Sequence, residues 1–217
     1  MVMRDNGEKG FCRETDHLRV ARAALHMWEE PCISGTTGSG TVFFSGCTLR
    51  CVFCQNFQLS HENYGKTISV SRLADIFLEL QEKGAANINL VTGTQFAPSI
   101  GRALDLAKPK LKIPVVFNCG GYEKLETIRD LADYVDIWLT DIKYMDRGLA
   151  KTYSAAPDYF AKASDAIKEM IRLTGGLSWN TKTPSMLDSG VIISHMVLPG
   201  AHEDSKRLLH LTRENHS

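Results

Sequence analysis

No fourth cysteine joins the run Ser45-Gly-Cys-Thr-Leu-Arg-Cys-Val-Phe-Cys-Gln-Asn-Phe57, which holds thiols at positions 47, 51 and 54. Structural zinc sites close on four ligands, and no second cysteine pair at the usual spacing completes one here. Long apolar runs are also missing. The longest are strand-length pieces such as Ile113 to Phe117, far below the ~20 residues needed to cross a bilayer, so no membrane association is expected. Charge of one sign is absent too, since 25 Lys and Arg cancel 25 Asp and Glu. Neither a nucleic-acid face nor an acidic tail is signalled, and no nucleic-acid partner is expected. The opening MVMRDNGEKGFCRE lacks an apolar signal core, and the chain reads as a cytoplasmic protein. There is neither an internal repeat nor a low-complexity tract.

What is present is enough apolar residue, 43% of 217, for one core of medium size. Six cysteines can form disulfides, but the crowding of Cys47, Cys51 and Cys54 suits metal ligation in a reducing compartment better. Cys12, Cys32 and Cys119 are scattered, and Cys32 and Cys119 read as ordinary buried or unpaired thiols.

From Thr41 onward, short β-branched or aromatic runs alternate with segments of helical period, which argues for repeated βα units and a parallel sheet. The expected strands are Thr41 to Ser45, Ile88 to Thr92, Val115 to Asn118, Val135 to Asp141 and Val191 to Leu198. Leu73, Ile76, Phe77 and Leu80 form the stripe of an amphipathic helix, with Ser69 or Ser71 to cap its start and Gly84 to end it. Further helices are expected from Pro98, over Leu125 to Ala132, over about Tyr159 to Leu173, and from near Glu203. Residues 1–40 read as an amino-terminal extension, helical over His17 to Trp28 and looped over Pro31 to Gly40; residues 41–217 read as the βα unit. Residues between Thr174 and Ser189 read as a surface loop.

In a parallel βα array the loops at the carboxyl ends of the strands converge on one mouth. The polar residues expected there are Cys47, Thr92 to Gln95, Asn118, Asp141 with Lys143, and His195. The spacing C-x3-C-x2-C puts three thiols on one tight loop. They can serve zinc, with Cys32, Cys119 or His61 as a distant fourth ligand, or an iron–sulfur cluster with one iron left open for an exogenous ligand.

Cys47, Cys51, Phe53 and Cys54 resemble the C-x3-C-x-aromatic-C motif of the radical S-adenosylmethionine superfamily. The resemblance implies a partial (β/α) barrel, lacking its last βα unit, and a four-iron four-sulfur cluster whose open iron is chelated by S-adenosyl-L-methionine. It further implies reductive cleavage of that cofactor to a 5′-deoxyadenosyl radical, with flavodoxin or ferredoxin as reductant. The phrases EEPCISGTTGSGTVFFSGCTLRCVFCQNFQLSHENYGKTIS, NINLVTGTQFAP, VVFNCGGYEKLETI, VDIWLTDIKYMD and HMVLPGAHEDS resemble the pyruvate formate-lyase activating enzyme-like branch. For that branch the hydrogen donor is expected to be a glycine of a protein partner, a glycyl-radical enzyme.

By the same resemblance, Gly93 and Thr94 receive the cofactor's amino group through the backbone, and Asn118 offers an amide to its ribose or carboxylate. Asp141 and Lys143 fall in the cofactor and cation region, against the alternative of a surface ion pair. His195 is a cofactor or substrate contact, against the alternative of a hydrogen-bonded packing residue. Three positions depart from the branch. Ser194 stands where an Arg is expected, Cys12 lacks the cysteines expected just upstream, and five strands are counted where related barrels have six. A catalytically impaired, metal-stabilised scaffold is the alternative that these departures favour.

Overall fold

The structure, a computed structural model, describes residues 4–216. Met1 to Met3 of the polar opening and Ser217 at the end of the expected barrel lie outside the described residues. In chain order the elements are β1 (Arg19–His26), α1 (Pro31–Ser34), β2 (Ser39–Phe44), α2 (Phe57–His61), β3 (Lys66–Thr67), α3 (Val70–Glu82), β4 (Ile88–Val91) and α4 (Ala97–Ala107). They continue with β5 (Val115–Cys119), α5 (Leu125–Leu131), β6 (Ile137–Asp141), α6 (Arg147–Ser154), α7 (Tyr159–Thr174), β7 (Ser178–Trp179), β8 (Leu187–Ser194) and α8 (His202–His216).

One sheet has the order β3-β1-β2-β4-β5-β6-β8-β7. Its central strands β2, β4, β5, β6 and β8 pair in parallel, each joined to the next by a helical crossover. This is the mostly parallel α/β sheet of a partial (β/α) barrel. Alternation divides its side chains between two faces. Val42, Phe44, Ile88, Leu90, Val115, Phe117 and Trp138 point toward the helices and pack with Leu73, Phe77, Ile100, Leu104, Ile128 and Met170. The buried stripe of α3 is Leu73, Ala74, Ile76, Phe77 and Leu80, and Ser69 caps its start by accepting from the Arg72 backbone N–H at 3.1 Å. Each large apolar side chain buried this way contributes about 1.5–3 kcal/mol.

The opposite face carries Thr41, Asn89, Val116, Asn118, Ile137, Leu139 and Ile192, aligned by register from strand to strand. Its floor is apolar, with Ile33 of α1 packed on Val116, Ile137, Leu139 and Leu187. Among the described residues no helix is long and apolar enough to cross a membrane.

Three segments differ from the expectations. Residues His17 to Trp28 are not helical: Arg19–His26 is a strand, paired antiparallel with β2 and with β3. Arg, Ala and Leu favour helix locally, but backbone pairing with a buried neighbour outweighs that small preference. The expected loop between Thr174 and Ser189 contains β7 and the start of β8. There Ser178 and Trp179 pair with Ser189 and Leu187 and cover the beginning of the edge that a sixth strand would occupy. The loop expected over Pro31 to Gly40 holds α1, whose Pro31 sits in its first turn, and the first residues of β2.

Candidate functional site

The parallel strands all end at one edge, and the predicted residues gather there. After β2 the chain turns at Gly46, whose φ of +78° suits glycine, and a Cβ there would lie 2.5 Å from the Cys12 carbonyl oxygen. The amino-terminal segment thus packs directly against the base of the cysteine loop. The loop itself is tied to the end of α6: Arg50 N–H donates to Ser154 O at 3.1 Å and Val52 N–H to Tyr153 O at 2.9 Å. Arg50 reaches back to Ser60 O at 3.0 Å and to Phe11 O, and its guanidinium lies 5.0 Å from the Phe11 ring.

Cys47, Cys51, Phe53 and Cys54 rest on an apolar bed that includes Leu49, Tyr144, Tyr153 and Tyr159. Each thiol is turned to its own partner. Cys47 Sγ accepts from Leu49 N–H at 3.4 Å, Cys51 Sγ shares a hydrogen bond with Ser154 Oγ at 2.9 Å, and Cys54 Sγ shares one with Ser60 Oγ at 3.2 Å. Among the described residues no three His, Cys, Asp or Glu side chains converge tightly enough to hold a metal ion. Burial pushes the Cys47 thiol up to about 12 and raises Cys51 as well, while Lys143 draws Cys51 back down. A bare thiolate is therefore costly here, and a cation bound to sulfur would remove that cost.

The loops after β4 and β5 support the cysteine loop. Gly93 begins the turn, and a Cβ on it would meet Ile100 Cδ1 at 2.7 Å. A larger residue at this place would push the end of the Ile100 side chain aside and press on the Phe44 ring at 3.3 Å. Thr94 is half-buried, and its side chain lies close enough to the Glu123 carboxyl to oppose the effect of burial on it. Gln95 is buried, and its Nε2 hydrogens are shared among the carbonyls of Ser45, Gly46 and Thr92 at 2.7, 3.1 and 2.7 Å. Asn118 lies on the concave face and donates to Glu29 Oε2 at 3.4 Å.

Asp141 and Lys143 form an ion pair that is partly buried rather than on the open surface. Burial works against the Lys143 charge, but the Asp141 carboxylate outweighs it and holds the amine's pKa above its usual value. Tyr159 fixes this corner, because its hydroxyl accepts from Lys143 N–H at 3.1 Å and faces the carbonyls of Gly120 and Asp141 at 2.8 and 3.0 Å. Ser194 pairs in register with Asp141 on the concave face. His195 stands apart from the other predicted residues. Its Nδ1 donates to Ile142 O at 2.6 Å and its Nε2 shares a hydrogen bond with Ser205 Oγ at 2.9 Å, so the ring joins the end of β8 to α8.

Cys119 is buried on the helix side of β5, and Cys12 is buried with its thiol 3.9 Å from Glu14 O. Several polar residues at this edge escaped the sequence reading: Ser60, Glu123, Ser154 and Tyr159. Glu123 is the most unusual, since burial pushes it up to about 7 and its Oε2 has no hydrogen-bond partner. Its place in the loop after the third predicted strand was the available signal. A cavity of about 430 Å³ opens beside the cysteine loop, lined by Arg22, Asn56, Phe57, Leu59 and Tyr64 among others.

The fold and the cysteine loop together define a class. Residues 41–209 match the Radical SAM superfamily, and the chain belongs to that superfamily. Its members typically use a four-iron four-sulfur cluster and S-adenosyl-L-methionine. The chain is 30% identical over 199 residues to an uncharacterized protein of Methanocaldococcus jannaschii, a match that covers 88% of this chain and 53% of the relative. It thus spans about half the length of that curated relative.

Proposed function

We propose that this chain cleaves S-adenosyl-L-methionine reductively, as a member of the pyruvate formate-lyase activating enzyme-like branch, and abstracts hydrogen from a glycine of a protein partner. One observation carries the reading: Cys47, Cys51 and Cys54 share a single loop at the carboxyl edge of the parallel strands, over an aromatic bed and beside Lys143. The donor set fits a four-iron four-sulfur cluster with one open iron. Metal ligation would replace the hydrogen bonds that the three thiols now make to Leu49, Ser154 and Ser60.

When bound, the cluster and S-adenosyl-L-methionine together supply a 5′-deoxyadenosyl radical and methionine from one electron, delivered by flavodoxin or ferredoxin. The chain's own residues bind and orient. Gly93 and Thr94 present backbone groups to the cofactor and the Asp141–Lys143 pair sets the local charge, while Asn118, the expected cofactor contact, turns its amide to Glu29. Phe53, Tyr144 and Tyr153 pack on one another beneath the loop and keep water from the thiols. His195 acts at one remove, by holding the end of β8 against α8.

A second reading is a scaffold that keeps metal but does not turn over. Ser194 favours it, since a hydroxyl cannot reproduce the bidentate grip of a guanidinium on a carboxylate. Formation of 5′-deoxyadenosine by the anaerobically reconstituted, reduced protein separates the two. Product that vanishes in Cys54→Ala supports the enzyme; bound iron without product supports the scaffold.

A further inference from the structure

Two asparagines on the concave side of β4 and its lead-in differ in one respect. Asn87 spends its amide on structure: Nδ2 donates to Ile33 O at 2.8 Å and Oδ1 accepts from Ser39 Oγ at 2.6 Å. Asn89, one alternation further along and 0% exposed, has no hydrogen-bond partner of good geometry for Nδ2 or Oδ1, although its amide lies against the Glu29 carboxyl. An unpaired buried amide is expensive, about 1–3 kcal/mol, and a fold that needed only packing there would carry an apolar residue.

Glu29 lies against this amide. It comes from the turn after β1, its side chain is 12% exposed, and its carboxylate accepts from Asn118. Asn89 is close enough to hold the carboxyl's acidity, but burial and Glu30 outweigh that and push Glu29 up to about 7. The nearest basic group, His26 Nε2, is 3.9 Å from Glu29 Oε1, too long for a hydrogen bond. Glu29 and Asn118 are the partly exposed members, with Asn89 beneath them.

We propose that Glu29, Asn89 and Asn118 form a subsite for an amide group of the hydrogen-donating substrate. An amide offers what these groups lack, N–H donors for the carboxylate and for Asn89 Oδ1, and a carbonyl for an asparagine Nδ2. A ligand ammonium would pair with Glu29 but offers no acceptor to the asparagine N–H groups that Glu29 leaves over, so the amide is the better match. The proposal rests on the radical-enzyme reading only for calling the ligand a substrate. An amide of this kind has two sources, a peptide backbone or a small carboxamide.

The test is an NMR titration of the side-chain amide signals of Asn89 and Asn118 in the full chain, with N-acetylglycinamide, acetamide, and methyl acetate as the ester without N–H. Saturable shifts with an amide and none with the ester are expected. A preference for N-acetylglycinamide identifies a peptide source, and equal binding of acetamide a small carboxamide. In Glu29→Gln the binding weakens by at least about tenfold, as for loss of a charged acceptor; Glu29→Asp serves if that variant is unfolded. No shift with either amide, equal shifts with the ester, or unchanged affinity in the variant overturns the proposal and leaves Asn89 to an ordered water. Wild-type 5′-deoxyadenosine formation is measured separately. Cofactor cleavage without amide binding removes this subsite alone, and amide binding without cleavage removes the radical reading alone.

Discussion

The Cys51 thiol lies 2.9 Å from the Ser154 hydroxyl, and the same hydroxyl lies 2.9 Å from the Tyr144 phenol, so one buried serine joins the cysteine loop to the end of α6. All three residues are buried. Replacing Ser154 by Ala removes the hydrogen-bond partner of Tyr144 in the core. We expect a loss of about 1–3 kcal/mol of stability, measured by urea unfolding of the protein. A change within a few tenths of a kcal/mol would mean that the network contributes nothing.

Gly121 and Gly84 have similar φ, +79° and +86°, in different surroundings. A Cβ on Gly121 would lie 2.2 Å from the Asp141 carbonyl oxygen, whereas one on Gly84 meets nothing within 4 Å. Gly84→Ala should cost only the left-handed backbone penalty, about 1–2 kcal/mol. Gly121→Ala carries the same penalty plus displacement of the Asp141 turn, and should exceed it by at least about 1 kcal/mol. Equal losses in the two variants would show that the turn after β6 yields freely.

Glu123 is raised by burial from 4.5 to about 7. The folded protein therefore holds this proton more tightly than the unfolded chain. Its raised pKa costs nothing well below pH 4.5, and the cost grows as pH rises from 4.5 to 7, to about 3 kcal/mol above that window. In Glu123→Gln this term disappears. The difference in unfolding free energy between variant and wild type should then move in favour of the variant as pH rises from about 5 to 8. A pH-independent difference would contradict the assignment.

The part of the site that sequence made legible is the part encoded locally. Cys47, Cys51 and Cys54 declare their chemistry by spacing, and the strand-then-turn pattern around Ile88, Val115 and Ile137 places their loops at one edge. Ser69 as helix cap and Pro98 in the first turn of α4 were legible for the same reason. What sequence hid depends on partners far along the chain. Arg19–His26 has helical composition, and only its pairing with β2 makes it a strand. Glu29 gains its setting from Asn89 and Asn118, which lie on two later strands. For His195 the sequence leaves both a cavity contact and a hydrogen-bonded packing residue open, because alternation fixes only a face; its ring nitrogens are engaged by Ile142 and Ser205, far along the chain from one another.

The central claim is that Cys47, Cys51 and Cys54 together hold a cluster to which S-adenosyl-L-methionine binds. The most direct measurement is the EPR spectrum of the anaerobically reconstituted, reduced protein, recorded with and without S-adenosyl-L-methionine beside a Cys47→Ala control. The account predicts about four irons per chain and a reduced-cluster signal in the wild type. That signal should change shape when the cofactor is added, and it should be absent from the variant. A signal that the cofactor leaves unmoved, or one that survives loss of Cys47, would contradict it.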